Sequence, residues 1–147
     1  MNFKNKPWWS YFSNGWEHSA IVYDTNIVEA VNYGQNSRKI SLQQFFEIYS
    51  SQIDRMIIIK MNLNNSQKTT IKNYIDTKLL GKPYPSNIAL LNSKYSMSTF
   101  YCSSLVWRAH YNSGRFVDLD EKTTPTIVYP IELIFSDNVG SLYSVTF

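Results

Sequence analysis

Glu17-His18-Ser19-Ala20-Ile21-Val22-Tyr23-Asp24-Thr25-Asn26-Ile27-Val28-Glu29-Ala30-Val31 is the stretch on which the reading of this chain turns. Two runs rich in β-branched residues flank a polar Asp24-Thr25-Asn26, the pattern of two strands joined by a tight turn. With Asp24 and Thr25 as a two-residue turn, Tyr23 faces Asn26 and Ala20 faces Glu29. Side chains alternate along a strand, so His18, Ala20 and Val22 share one face with Ile27, Glu29 and Val31. His18 and Glu29 become diagonal neighbours at ~7–8 Å, within reach of long side chains. Two polar groups on an apolar face are costly to bury unless they pair. A one-residue slip would separate them, so everything depends on the register. Taken singly, the histidine also fits a surface or capping role, and the glutamate an edge charge.

The second decisive stretch is Ser98-Thr99-Phe100-Tyr101-Cys102-Ser103-Ser104-Leu105-Val106-Trp107, which carries the single cysteine. The pattern predicts a helix from about Thr99 to Asn112, closed by Ser113-Gly114, with Cys102 in its first turn. Unpaired N–H groups and the positive end of the helix dipole favour thiolate there, and the thiolate is the reactive form. The same amides, with the N–H of Cys102, suit a tetrahedral oxyanion. Cys102, Leu105, Val106 and Ala109 also form an i, i+3, i+4, i+7 stripe, so the cysteine equally reads as a small core residue. A carboxylate on one imidazole nitrogen leaves the other to take a proton from the thiol. Cys102, His18 and Glu29 are thus candidate nucleophile, base and orienter. His110 falls ~12 Å further along the same helix, too far to pair with the thiol. It is expected near the helix C-terminus, where positive charge is favoured.

Between these stretches, Leu42, Phe45, Phe46 and Tyr49 have helical spacing behind Ser41 as N-cap. Arg55 to Lys60 reads as a buried strand, and Asn64 or Asn65 opens a helix through Leu80 that Gly81 and Pro83 end. Pro83 to Met97 reads as loop, and Thr126–Tyr129 and Leu142–Phe147 as strands. The mixture predicts an α+β fold with an antiparallel sheet packed against helices.

At 147 residues, 44% hydrophobic and 17% charged, the chain is predicted to be a single globular domain, 1–147, rather than disordered. A net charge of +3 without a basic cluster argues against nucleic acid as a partner. One cysteine excludes an internal disulfide. No transmembrane stretch and no secretory h-region are present in the chain as given, which favours the cytoplasm and leaves an extracytoplasmic location open if a leader was removed. One cysteine and two separated histidines offer no zinc-like spacing, so neither metal nor other cofactor is expected. Trp8, Trp9, Tyr11, Phe12 and Trp16 read either as cover for the sheet or as the wall of a substrate cleft.

The hairpin residues resemble the histidine strand and the following Glu-Ala strand of the circularly permuted NlpC/p60 papain-like hydrolases, in their YiiX/YebB-like branch. Gly81-Lys82-Pro83-Tyr84 and Phe100-Tyr101-Cys102-Ser103-Ser104-Leu105-Val106-Trp107-Arg108-Ala109 are similar to two further segments of that branch. The resemblance spans roughly Trp16 to Tyr111 in the order His, Glu, Cys. It implies a permuted papain-like fold with Cys102, His18 and Glu29 as the triad. It also implies that Tyr84 lines the active site or helps bind the oxyanion, with Tyr101 and Ser103 beside the nucleophile as further substrate or oxyanion contacts. The implied substrate is an amide in a small or cell-wall-derived peptide. A lipid acyl hydrolase or acyltransferase on the same fold, and a binding module without catalysis, are the rival readings. Ser104 stands where the family usually has glutamate, at a position facing away from Cys102. Lys6-Pro7-Trp8-Trp9-Ser10 replaces the usual Gly-Asp-Ile/Leu strand.

Overall fold

The structure is a computed structural model that describes residues 1–4, 15–86, 94–115, 117–120 and 127–147. Strands β1 (Asn2–Phe3), β5 (Ile53–Met61) and β6 (Val139–Thr146) form one antiparallel sheet in the order β1-β5-β6. Strands β2 (Ile21–Tyr23), β3 (Asn26–Glu29) and β4 (Arg38–Ser41) form a second, in the order β2-β3-β4. The helices are α1 (Leu42–Tyr49), α2 (Asn65–Tyr74), α3 (Cys102–His110) and the short α4 (Glu132–Phe135). The protein is therefore α+β, with antiparallel sheets and helices. Among the described residues no helix is long and apolar enough to cross a membrane.

The hairpin has the register Ile21↔Val28, Val22↔Ile27 and Tyr23↔Asn26. Asp24 takes the left-handed conformation (φ 52°), which its short polar side chain tolerates, and the two-residue turn closes without glycine. Strand β4, which the sequence pattern does not announce, pairs with β3 and sets Arg38 opposite Glu29. Ser41 both ends β4 and caps α1: its Oγ accepts from the Gln44 N–H at 3.1 Å, while Gln44 Oε1 accepts from the Ser41 N–H at 3.1 Å. Phe45 and Tyr49, one turn apart, are buried beneath that cap beside Ile27 and Ile53.

Helix α2 begins with the same reciprocal cap between Asn64 and Gln67. It widens into a π-helical turn over Ile75–Leu79 and stops where Gly81 turns left-handed (φ 74°). The Ser37 hydroxyl donates to the Leu79 carbonyl at 2.5 Å and accepts the Lys82 N–H at 2.9 Å. This cross-link ties the end of α2 to the β3–β4 loop and carries Tyr84 toward the hairpin, its N–H donating to Gln35 O at 3.0 Å.

Every residue of α3 is buried, not only the apolar stripe. Leu105, Trp107 and Ala109 join Val28, Ile75, Leu79 and Phe100 in the main core. Truncating a leucine such as Leu105 in such a setting costs ~2–5 kcal/mol. The polar residues of α3 are tolerated because each has a partner. Ser103 donates to Val128 O at 2.6 Å, Ser104 to Tyr101 O at 3.0 Å, and Arg108 to Lys94 O and Ser96 O at 2.7 and 3.2 Å. The helix starts at Cys102 rather than Thr99, because Tyr101 remains extended (φ −96°, ψ 170°). Residues 127–129 lie outside any strand, whereas β6 begins at Val139, earlier than its apolar residues suggest. Residue 126 lies outside the described residues, as do Trp8, Trp9, Tyr11, Phe12 and the segment Lys6–Ser10.

Candidate functional site

His18, Glu29 and Cys102 come together in one buried cluster, 5%, 0% and 7% exposed. His18 stands just before β2, where its backbone N–H donates to Met1 O at 3.3 Å. Glu29 ends β3, and continuation of the hairpin register puts it on the same face as His18. His18 Nε2 and Glu29 Oε2 are 2.9 Å apart. That contact leaves Nδ1 as the ring nitrogen for the Cys102 thiol, with which the imidazole also hydrogen-bonds. Helix α3 presents the thiol as its first residue, with the Glu17 carbonyl 4.0 Å from the sulfur.

The carboxylate is held from its other side by residues the sequence reading passed over. Arg38 donates to Glu29 Oε1 through Nε at 2.9 Å and Nη2 at 2.7 Å. Tyr49 adds its hydroxyl to Oε1 at 3.4 Å, and its ring centroid lies 6.3 Å from that of His18. Arg38 was findable in principle as the cross-strand partner of Glu29, had residues 38–41 been read as a strand. Tyr49 could not be found, because its helical spacing announces only that it is buried.

These contacts decide the charge states. Burial pushes the Cys102 thiol up, but the hydrogen bond and charge of His18, aided by the Ser19 N–H and hydroxyl, outweigh it. The thiol falls to about 7 from an ordinary 9.0. Burial would lower His18, yet its bonds to Cys102 and Glu29 raise it to about 9. Burial likewise raises Glu29, and His18 and Arg38 more than offset this, leaving it below its ordinary value. The two shifts run in opposite directions, the thiol down and the imidazole up, and each favours the thiolate–imidazolium form.

Tyr84 is half-buried and close enough to Cys102 that burial and the charge of the sulfur both raise its phenol. Tyr101 and Ser103 flank the cysteine, but both serve the 127–130 segment. The Tyr101 hydroxyl accepts the Val128 N–H at 2.8 Å, and the Ser103 hydroxyl donates to Val128 O. Ser104 turns back to the Tyr101 backbone, its oxygen taking that N–H at 3.0 Å. His110 is neutral rather than positive: burial lowers it, and its ring hydrogen-bonds Val106 O through Nδ1 at 2.9 Å.

The fold and site thus define an α+β protein with a buried Cys–His–Glu cluster at a helix start. A solved structure described as the crystal structure of metalloprotein yiiX from Escherichia coli O157:H7, DUF1105, is similar, with a TM-score of 0.58 and 21% identity. The likeness covers 82% of this chain and 74% of that one, and shows a YiiX-like fold. No family model and no curated protein matches the sequence. Among the described residues no group of three or more His, Cys, Asp or Glu side chains is arranged to hold a metal. Cys102 and Glu29 approach opposite nitrogens of one imidazole, so these three donors do not converge on a common point.

Proposed function

We propose that this protein is a cysteine hydrolase of the permuted papain-like type, working through an acyl-enzyme on Cys102. Glu29 orients His18, and His18 holds the proton of the Cys102 thiol. The thiolate attacks a carbonyl carbon, and the amides of the first turn of α3, with the Tyr84 hydroxyl, receive the developing oxyanion. His18 then protonates the leaving amine or alcohol, and water releases the acyl group. Tyr101 and Ser103 act as positioning residues through Val128. The family resemblance supports a peptidase or amidase acting on small or cell-wall-derived peptides.

The observation that carries the proposal is the His18–Glu29 contact of 2.9 Å with the thiol on the other side of the same ring. A core cysteine needs no imidazole, and a surface histidine needs no buried carboxylate. The test uses p-nitrophenyl acetate and intact-mass measurement. A single acetyl group is expected on Cys102, absent from Cys102→Ser and formed at least ~10²-fold more slowly in His18→Ala, the scale of general-base assistance. Acetylation that survives Cys102→Ser, or is unchanged in His18→Ala, refutes the mechanism.

A further inference from the structure

Three consecutive residues ahead of β2 enclose the Cys102 sulfur from the side opposite its own helix. The Glu17 carbonyl accepts from the thiol at 4.0 Å. His18 brings its ring, and Ser19 turns both its backbone N–H and its hydroxyl to the sulfur. Met1 holds this segment in place, its carbonyl accepting the Glu17 N–H at 2.9 Å and the His18 N–H at 3.3 Å. The segment thus offers one acceptor to the thiol and two further donors to the thiolate.

The hydroxyl is the informative member. Ser19 Oγ is buried, and among the described residues it has no nitrogen or oxygen partner. Burying a hydroxyl unpaired is unfavourable, and alanine would fill the position without that penalty. The sulfur is the acceptor that accounts for it. A thiol is a weak acceptor, whereas a hydrogen bond to an ionised group is about twice as strong as a neutral one.

We propose that Ser19 is a further catalytic residue, whose hydroxyl and N–H hold the Cys102 thiolate before attack and receive it again when the acyl-enzyme breaks down. This rests on the acyl-transfer chemistry above and assigns its second step. Water adds to the thioester carbonyl carbon while His18 takes its proton. The C–S bond then breaks, the electron pair returns to sulfur, and the acid leaves with the thiolate–imidazolium pair restored. The acylated sulfur carries no charge, so the Ser19 bonds strengthen only as the C–S bond opens. An interaction that grows toward the transition state accelerates the step. The Glu17 carbonyl, an acceptor, gives the returning charge nothing.

Ser19→Ala and Ser19→Thr test this with iodoacetamide, p-nitrophenyl acetate and intact mass. In Ser19→Ala the pH midpoint of Cys102 alkylation should rise by about one unit, an about tenfold loss of thiolate below it, the scale of one hydrogen bond to a charged group. A leaving thiolate about tenfold more basic departs ~threefold more slowly at a Brønsted dependence of ~0.5, so the acetyl group on Cys102 should persist at least ~threefold longer. Ser19→Thr keeps the hydroxyl and should restore both values. The other titratable groups around the sulfur and His18 are Glu29, Tyr84, Tyr101 and the Met1 amino group, and they are common to every variant. Urea midpoints separate a structural role. A hydroxyl that serves only the fold would lower stability in Ser19→Ala with alkylation and acetyl lifetime unchanged, and that result overturns the inference. An unshifted midpoint or an unchanged acetyl lifetime in Ser19→Ala, beside a wild type that still acetylates at Cys102, overturns it too and leaves the Cys102–His18 chemistry standing. A wild type that takes no acetyl group on Cys102 overturns both.

Discussion

Replacing His18 by alanine removes the imidazolium that brings the Cys102 thiol down to about 7. Burial then raises the thiol against Ser19 alone, so it is expected no lower than the ordinary 9.0, which serves as the reference for the variant. At pH 7 the thiolate fraction drops from about one half to about 1%, a ~50-fold loss. Intrinsic nucleophilicity moves the other way. With a Brønsted coefficient of ~0.4–0.5, a thiolate about a hundredfold more basic reacts ~6–10 times faster. The net expectation is alkylation ~5–8-fold slower in the variant at pH 7, and ~6–10-fold faster in strong alkali, with the two profiles crossing near pH ~8. Iodoacetamide serves as the probe because it is small and uncharged, with thiol loss followed by intact mass at constant ionic strength. The crossing is the diagnostic feature, since a change in access to the buried sulfur would displace one whole curve without making it intersect the other. Superimposable profiles, or parallel ones, refute the ion pair.

Three further outcomes follow from the contacts. Arg38→Met leaves the buried Glu29 carboxylate without its two guanidinium bonds. Breaking a buried pair costs ~3–5 kcal/mol, but the Arg38 side chain is 35% exposed, so ~1–2 kcal/mol is expected in urea denaturation. A loss below ~0.3 kcal/mol would show that the arginine does not hold the carboxylate. Glu29 titrates below its ordinary 4.5 in the folded protein, because His18 and Arg38 outweigh burial. Its stabilisation is therefore complete above that value and lost as pH falls through the lower folded one, and Glu29→Gln should lack this acid-side component in urea midpoints measured across pH. Tyr101→Phe strands the Val128 N–H and should cost ~1–3 kcal/mol, while acylation of Cys102 changes by less than ~threefold. A large loss of rate with stability preserved would instead put the Tyr101 hydroxyl on the substrate.

Much of the site was legible because strand periodicity is rigid. Once Asp24 and Thr25 are taken as the turn, a repeat of two residues carries His18 and Glu29 to the same face, and the observed register follows that count. Ser41 was legible as a cap, and the start of α2 to within Asn64 or Asn65, for a related reason, since capping is local chemistry between residues three apart. Tyr49 was not, because helical spacing marks it only as buried, and Arg38 was not, because β4 has no alternating apolar pattern of its own. Its place in the sheet comes from pairing with β3, a contact between segments separated by a loop. The helix beginning at Cys102 was misjudged by three residues for a comparable reason: Phe100 donates its N–H to Pro83 O, and a distant loop thereby keeps the preceding residues extended.

By itself the sequence determined the α+β class, the hairpin, the Ser41 cap, and the presence of one thiol, one imidazole and one carboxylate at readable positions. These rest on periods and offsets within a few residues. Only the tertiary structure decided that the thiol meets the imidazole and that an arginine and a tyrosine secure the carboxylate. Such contacts join distant segments: the Glu17 carbonyl beside the Cys102 sulfur is 85 residues away in the chain. Contacts at that separation depend on how the sheets and α3 pack together, and no local pattern encodes them.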